Sequence, residues 1–429
     1  MLKEISINFN NFLLSLSDAI DLASPSISAH QLRTAYIAWQ MTKAVKKEED
    51  IIERIFMAAL LHDIGALAPE EKVRLHGFKE RDLKAHCIRG ARLFEVTSLL
   101  RPASRLVLYH HKPWNKWDRP IDDSVVFESQ VLYLADFLER IVDRERYILH
   151  QVDELTKEVH KLSGKLVHKD IVDIFMELSK REDFWLDLAS PRLYSLLLHL
   201  GPFRKREIQL NELFSISVLF RNIIDFRSVF TATHSTGVAA CAAILSKIFG
   251  LTETEVALME IAGNLHDLGK LVVPNYILTK PGKLSKEEYE VIKQHTYFTY
   301  TVLGTIDGMD QVTEWAAFHH EKLDGTGYPF HLTGERINSG ARIMAVADVF
   351  TALAEDRPYK KGLDRKRIQG ILVDMSSNGG LDKRIVNLLL ENYQEVFLEV
   401  KMKQDLSREY YQRQLLEGQG SFELSDEIV

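Results

Sequence analysis

The sequence predicts an all-α protein built from two tandem helical domains joined by connecting helices. Strand-like alternation of apolar and polar residues is scarce, and a set of seven His and Asp residues occurs twice at matching spacing. Apolar residues recur at helical spacing in many windows, as in the run Ile51, Ile52, Ile55, Phe56, Ala59 and Leu60.

Two capping boxes predict helix starts in the C-terminal half. A Ser or Thr with a Glu three residues later satisfies free N–H groups at the start of a helix. We expect the first helix to run to Leu265 and to be stopped by Gly269, and the second to carry His295. The capping pairs are Thr252 with Glu255 and Ser285 with Glu288.

The composition is typical of a globular protein with more than one domain. The 429 residues are 46% hydrophobic and 27% charged, and a chain of this length predicts about two to four domains. The net charge of -7 argues against broad nucleic-acid binding, which usually shows as an excess of Lys and Arg. We therefore expect no large nucleic acid as partner, although a local basic pocket stays open.

Cysteine content and hydropathy predict a cytoplasmic protein without a membrane span. Cys87 and Cys241 are too few for a disulfide framework and form no C-x-x-C pair. The chain starts without a signal-peptide pattern, and no apolar run reaches about 18 residues.

The repeated residues define the two copies, which lie 204 to 212 residues apart. Each copy has a His-Asp pair after a helical run and shortly before a Gly, Gly65 in the first copy and Gly269 in the second. The first set is His30, His62, Asp63, His86, His110, His111 and Asp136, and the second is His234, His266, Asp267, His295, His319, His320 and Asp348.

The repeat predicts the domain boundaries. A first domain spans residues 1–149 and a second spans 213–400, followed by a polar tail, 401–429. The charged amphipathic stretch 150–212 reads as connecting helices packed between the domains, or alternatively as a homodimer interface or a signal relay.

The residue types point to metal binding. Imidazole and carboxylate groups are ligands for divalent metals, and seven are too many for one ion that keeps a position open for water. They suit two ions that share a bridging carboxylate, for which Asp267 is the natural choice. His319 and His320 can serve one ion only near a helix end, since consecutive helical residues point about 100° apart. Glu321 onward supplies that break.

Several segments of the second copy resemble the signatures of HD-GYP phosphodiesterases. The resemblance covers roughly residues 213–400. It is carried by His266-Asp267-Leu268-Gly269-Lys270, by His319-His320-Glu321-Lys322-Leu323-Asp324-Gly325-Thr326-Gly327-Tyr328-Pro329, by Val272-Val273-Pro274, Ile277-Leu278 and Lys280-Pro281-Gly282-Lys283-Leu284, and by Ala347-Asp348-Val349-Phe350 with Asp356-Arg357-Pro358-Tyr359-Lys360.

The resemblance implies an all-helical fold that hydrolyses cyclic dinucleotides to linear products with iron or manganese in a two- or three-metal centre. Three-metal members carry a Glu shortly before the first His, where this chain reads Ser228-Val229-Phe230-Thr231, so we expect two metals. One metal would take His234, His266, Asp267 and Asp348, and the other Asp267, His295, His319 and His320. Two metals can hold a bridging hydroxide that attacks phosphorus.

The same resemblance implies a set of substrate contacts. The Lys270 ammonium would hold a phosphate oxygen and stabilise charge in the transition state, so Asp267 and Lys270 are the expected catalytic residues. Arg357 and Lys360 resemble phosphate contacts at the site entrance. The loop formed by Asp324, Gly325, Gly327, Tyr328 and Pro329 would approach the ligand.

The first copy keeps the metal ligands but lacks the other machinery. Ala66 replaces the lysine, and no Gly-Tyr-Pro follows His111. Glu145 and Ile148 stand where the second copy has Arg357 and Lys360, and a Glu there would repel phosphate. We therefore predict a degenerate domain that can hold metal without turning over a cyclic dinucleotide.

A degenerate copy ahead of an intact one is similar to phosphodiesterases that act on 3',3'-cyclic GMP-AMP (3',3'-cGAMP). The expected reaction is 3',3'-cGAMP to linear 5'-pApG, with cyclic di-GMP to pGpG as the alternative. Two other hypotheses stay open: a simpler HD-type nucleotide phosphohydrolase, and a non-catalytic receptor for cyclic dinucleotides in bacterial second-messenger signalling.

Overall fold

The protein is all-α, as the sequence predicts. The computed structural model describes residues 6–21, 28–77, 83–203, 205–226, 233–356 and 361–411. The chain divides into an N-terminal unit, Asn8–Ile208, and a C-terminal unit that begins at Gln209 and also takes in the residues up to Ile7. The strands of the described residues are β1 (Ile7–Asn8) and β2 (Glu207–Ile208), which pair in a two-stranded sheet.

The N-terminal unit is a cluster of helices around α2. Helix α2 packs against α3 and α7, and its first residue is His30. The helices are α1 (Phe9–Asp21), α2 (His30–Ala44), α3 (Glu49–Leu61), α4 (Pro69–His76), α5 (Lys84–Glu95), α6 (Ser104–Tyr109), α7 (Ser124–Ile141), α8 (Val152–His160), α9 (Lys169–Leu178), α10 (Glu182–Leu188) and α11 (Leu193–Leu200).

The stretch 150–212, which the sequence predicts as connecting helices, supplies α8 to α11. These helices pack on the N-terminal unit: α9 contacts α2 and α7, α10 contacts α2, and α11 contacts α1 and α2. Their apolar side chains, such as Phe175, Trp185 and Leu197, are fully buried. Burial of a side chain of this size contributes about 1.5–3 kcal/mol, so these helices belong to the core of that unit.

The C-terminal unit repeats the arrangement around α13. Helix α13 packs against α14, α18 and α21, and its first residue is His234. The helices are α12 (Leu210–Phe226), α13 (His234–Phe249), α14 (Glu253–Leu265), α15 (Asn275–Leu278), α16 (Lys286–Leu303), α17 (Asp310–Ala317), α18 (Ser339–Ala354), α19 (Arg365–Ser377), α20 (Lys383–Glu391) and α21 (Tyr393–Tyr411).

Both predicted capping boxes are present, at the starts of α14 and α16. Helix α14 ends at Leu265 as expected, but the expectation that Gly269 is its stop is wrong. Gly269 lies inside the 3-10 helix Leu268–Val272. A Cβ at Gly269 would lie 1.9 Å from the carbonyl oxygen of His295, so glycine is required for the close approach of this segment to α16.

The first copy has the same close approach of a glycine to a neighbouring helix. A Cβ at Gly65 would lie 2.0 Å from the carbonyl oxygen of His86, on α5. In each copy the Gly after the His-Asp pair thus lets the 3-10 turn contact the next ligand helix. No helix within the described part of the chain combines the length and the apolar character that a membrane span needs.

Candidate metal centre

The fold of the C-terminal unit brings the seven predicted ligands of the second copy together from five helices or their ends. Helix α14 ends just before the His-Asp pair, and α17 ends at Ala317, just before the two consecutive histidines, so both pairs lie beyond helix ends as expected. The ligands are His234 at the start of α13, His266 and Asp267 after α14, His295 in α16, His319 and His320 after α17, and Asp348 in α18.

The seven residues form two groups with Asp267 between them. Ligand atoms of His234, His266 and Asp348 lie within 4.8 Å of one another, and so do those of His295, His319 and His320. Oδ2 of Asp267 lies 3.2 Å from Nε2 of His266, and its Oδ1 lies 3.4 Å from Nε2 of His295. One carboxylate oxygen therefore faces each group, which is the arrangement of a bridging ligand.

Backbone carbonyls fix the orientation of three imidazoles. Nδ1 of His266 donates to the carbonyl oxygen of Gly263 at 2.7 Å, and the corresponding bonds run from His295 to Ile292 at 2.6 Å and from His319 to Ala316 at 2.7 Å. A carbonyl oxygen can only accept, so the proton is on Nδ1 in each ring. The Nε2 lone pairs are left to face the centre, as in metal-binding histidines.

Electrostatics keep these groups in their metal-binding forms. Burial alone would raise the pKa of Asp267, but His266, Lys270 and His295 outweigh it and hold the pKa well below its usual value. Burial lowers the pKa of His295 to about 3 and that of His319 well below its usual value. Asp267 is thus ionised, and His295 and His319 are neutral.

The donor set fits a pair of divalent ions. Nε2 of His266 is buried and has no hydrogen-bond partner, although buried polar nitrogens are normally satisfied. An imidazole nitrogen left in this state beside ionised carboxylates is suited to binding a cation.

Glu355 contacts a predicted ligand, and the sequence analysis did not single it out. Its buried carboxylate lies 3.6 Å from Nδ1 of His234, opposite the 3.0 Å contact of Nε2 of that ring with Asp348. Burial lowers the pKa of His234, but Asp348 and Glu355 raise it to about 10 overall. Glu355 follows Asp348 by seven residues, two helical turns, and this spacing could have revealed it.

Lys270 lies at the exposed side of the centre. Its Nζ is 2.5 Å from Oδ2 of Asp267, and its side chain is 20% exposed where that of Asp267 is 3% exposed. The ammonium therefore stands between the buried bridge and solvent, within reach of a ligand that enters from outside.

The Gly-Tyr-Pro loop is tied directly to His320. The Tyr328 N–H donates to the carbonyl oxygen of His320 at 3.2 Å, and the Tyr328 ring lies 4.8 Å from the His320 ring. The buried Glu321 carboxylate accepts from the N–H groups of Phe330 and Leu332 at 2.7 and 2.9 Å. The loop is thus held around a buried carboxylate beside His320, a predicted metal ligand.

Gly325 and Gly327 of this loop are each constrained to be glycine, for different structural reasons. Gly325 has a φ of 77°, which favours glycine, and a Cβ at Gly327 would lie 2.4 Å from the backbone nitrogen of Lys322. Asp324 is exposed, and its carboxylate accepts from the N–H and hydroxyl of Thr326 at 2.8 and 2.7 Å. Pro329 follows Tyr328 through a cis peptide bond.

Lys293 is a second cation near this loop that the sequence analysis did not single out. Its Nζ lies 5.1 Å from the ring centre of Tyr289 and 5.8 Å from that of Tyr328. Arg357 and Lys360, and the segment Ser228–Thr231, lie outside the described residues.

The N-terminal unit gathers the matching residues of the first copy. Ligand atoms of His30, His62 and Asp136 lie within 4.8 Å of one another, as do those of Asp63, His86, His110 and His111. Asp63 again bridges the groups: its Oδ2 is 3.6 Å from Nε2 of His62 and its Oδ1 is 3.4 Å from Nε2 of His86.

The first copy differs in what surrounds these ligands. Ala66, at the position of Lys270, is buried, and so is Ile148. The His111 side chain is 11% exposed, whereas the matching His320 is 32% exposed. The first copy is therefore the more enclosed of the two and has no ammonium at its bridge.

Two segments of the chain match family models described as HD domain, at residues 27–141 and 218–385. The chain is 30% identical over 404 residues to the 3'3'-cGAMP-specific phosphodiesterase 1 of Vibrio cholerae, which covers 92% of this chain and 94% of that protein. It is 27% identical over 326 residues to 3'3'-cGAMP-specific phosphodiesterase 3 of the same organism, over 73% of this chain and 69% of that protein.

A shorter match links the chain to a protein named for another substrate. The chain is 41% identical over 157 residues to the cyclic di-GMP phosphodiesterase response regulator RpfG of Xanthomonas campestris, over 36% of this chain and 41% of that protein. Among solved structures, a cyclic GMP-AMP-specific phosphodiesterase of V. cholerae, V-cGAP3, has the same fold, with a TM-score of 0.63, 20% identity and coverage of 91% of this chain and 98% of that one.

Proposed function

The chain belongs to the HD-domain family of cyclic dinucleotide phosphodiesterases, and from that membership we propose that its C-terminal unit hydrolyses 3',3'-cGAMP to linear 5'-pApG. As a member of this family it is a hydrolase of phosphodiester bonds in cyclic dinucleotides. The proposal adds the substrate, the residues and the metals.

The observation that carries the proposed site is the position of Asp267. Its two oxygens face two separate groups of imidazoles at 3.2 and 3.4 Å, which supports two ions per catalytic domain, iron or manganese by the resemblance. The proposed ligands are the seven residues of the second copy, from His234 to Asp348. When bound, such ions lower the pKa of water and screen phosphoryl charge.

The residues around the centre supply positioning and charge. We propose that Lys270 leaves its ion pair with Asp267 and donates to a non-bridging phosphate oxygen, because its side chain reaches solvent. We also propose that the Tyr328 ring, which lies beside His320, and the backbone at Gly327 contact the nucleotide. Arg357 and Lys360 remain predicted phosphate contacts.

The length of the relatives' matches supports the choice of substrate. The relative named for 3'3'-cGAMP matches 92% of this chain, including both copies, whereas RpfG, named for cyclic di-GMP, matches 36%. Cyclic di-GMP, with pGpG as product, is the second candidate, because the match to RpfG has the higher identity, 41%.

The proposal also covers the N-terminal domain and the compartment. We propose that the first copy binds metal without turnover, since it has the ligands but a buried Ala66 in place of the lysine. Cys87 and Cys241 are both free and buried, which supports a reducing compartment such as the cytoplasm.

The test is product identification with protein prepared without oxygen and loaded with Fe²⁺ or Mn²⁺. Offered 3',3'-cGAMP and cyclic di-GMP separately, it should convert the first to 5'-pApG with a kcat/KM at least about tenfold higher, a difference of about 1.4 kcal/mol. Preference for cyclic di-GMP would favour the second candidate. Binding without turnover would indicate a receptor, and triphosphate or phosphate released from a nucleoside triphosphate would indicate a simpler phosphohydrolase.

A further inference from the structure

His76 is a histidine of the first copy that has no match in the second. His76 is the last residue of α4. Along the sequence it falls between His62 and His86, and the corresponding stretch of the second copy, residues 267–294, contains no histidine. Ligand atoms of His76, His30 and Asp63 lie within 4.8 Å of one another. The rings of His76 and His30 are in contact, with centres 3.8 Å apart and planes at 83°.

Nε2 of His76 is buried and has no hydrogen-bond partner, as is the case for Nε2 of His266 in the second copy. The same holds for Oδ1 of Asp63. An unpaired buried nitrogen is rare and costs about 1–3 kcal/mol unless something binds it. An imidazole nitrogen in this position is suited to binding a cation.

Helix α4 is fixed over the cluster from two sides. Arg140, in α7, donates to Oδ2 of Asp136 at 3.2 Å and also to the carbonyl oxygen of Leu75, in α4. Lys72, in α4, donates to the carbonyl oxygen of Ile20 at 2.9 Å. The position that matches Arg140 in the second copy is Ala352, so this tie belongs to the first copy alone.

We propose, resting on the metal binding proposed above for the first copy, that His76 supplies an additional ligand there beside His30 and Asp63 and makes this site more closed to water than its counterpart. The matching group of the second copy would supply four protein ligands, His234, His266, Asp267 and Asp348. With His76, the group formed by His30, His62, Asp63 and Asp136 would supply five. A further protein ligand leaves fewer positions for water on an ion, as in structural rather than catalytic metal sites, and an ion held in this way would stabilise the N-terminal unit.

The test measures retained metal and unfolding rather than turnover. It uses the full chain in a D267A background, which removes the bridge of the second copy, so that the remaining ions report on the first copy. Mn²⁺ is added alone, and metal content is measured after dialysis against a weak chelator. The D267A chain should retain about two ions and unfold at a higher temperature with Mn²⁺ than without it.

The decisive comparison is D267A/H76A with D267A/H160A, since His160 is exposed on α8 of the same unit. The H76A change should weaken Mn²⁺ retention at least about tenfold and reduce the thermal shift, while H160A leaves both as in D267A. Equal retention by both variants would overturn the role of His76 alone, whereas no metal retained by D267A itself would overturn metal binding by the first copy as well. If H76A impairs folding, H76Q keeps a polar side chain without the imidazole and gives the same comparison.

Discussion

At the scale of single residues, the candidate site depends on which atom of each side chain faces the centre. Asp267 directs one oxygen to each histidine group, and the rings of His266, His295 and His319 donate through Nδ1 to carbonyls of their own helices. Each ligand is therefore oriented before any metal binds, which reduces the cost of assembling the centre.

Asp267→Ala should abolish turnover, because both ions lose a ligand and the bridge between them. We expect kcat to fall more than about a hundredfold and the metal content of the C-terminal unit to fall with it. The measurements are 5'-pApG formation and metal analysis of the purified chain. Asp307→Ala is the control, since Asp307 is exposed outside the site. Activity within about tenfold of wild type would contradict the two-metal interpretation.

Lys270→Ala should slow the reaction without emptying the site. The variant loses one donor that stabilises developing charge, for which a fall in kcat of about a hundredfold is typical. Metal content should stay at the wild-type level, because Lys270 is not a ligand. Lys247→Ala, which changes an exposed lysine of α13 outside the signature segments, should change neither quantity. A rate close to wild type for Lys270→Ala would show that the ammonium does not contact the phosphate.

Sequence reasoning at this scale found the residues that repeat and missed those that do not. The matching spacing of the two copies gave the predicted ligands, but His76 has no counterpart in the second copy, and Glu355 matches only the exposed Asp143. In the first copy, Glu139 takes the role of Glu355, with Oε2 2.5 Å from Nδ1 of His30, yet it follows Asp136 by only three residues. The same contact is thus made from different helical turns, which a repeat search cannot detect.

At the scale of elements, close backbone contacts hold the ligand-bearing segments together. Glycine at 269 lets the 3-10 turn meet α16, and glycine at 327 lets the loop fold back on the turn that begins at His320. The sequence predicted the helix starts from capping boxes. It also predicted that α14 ends at Leu265, but it took Gly269 as the stop of that helix, whereas Gly269 is needed for packing against α16.

Gly327→Ala should distort the loop that carries Tyr328. The new Cβ would lie 2.4 Å from the nitrogen of Lys322 and 2.5 Å from Cα of Glu321, so the backbone must move. Overpacking costs about 1–3 kcal/mol, and we expect kcat/KM to fall about tenfold or more. Gly334→Ala is the matched control in the same loop, because its nearest contacts are at 3.5 Å or more. Equal kinetics for the two variants would show that this loop does not shape the site.

At the scale of the whole molecule, the same helical module occurs twice, and the two copies differ in the residues around the candidate metal ligands. Both copies place a carboxylate between two groups of imidazoles, but only the second has a lysine at the bridge and a Gly-Tyr-Pro loop beside it. The sequence predicted the all-α fold and the repeat. It did not predict that α8 to α11 pack on the N-terminal unit, because an amphipathic helix shows that a face is buried but not which partner buries it.

His319→Ala in the full-length chain separates the contributions of the two copies. It removes one imidazole from the second copy and leaves all seven matching residues of the first, including His110 at the equivalent position. Because the first copy lacks the lysine and is more enclosed, we expect turnover of 3',3'-cGAMP to fall to the protein-free rate even with added Mn²⁺. The chain should still bind Mn²⁺ through its first copy. His160→Ala, at an exposed position, should retain full activity. Turnover by His319→Ala that grows with added Mn²⁺ and is lost on mutating His110 would instead assign catalysis to the first copy.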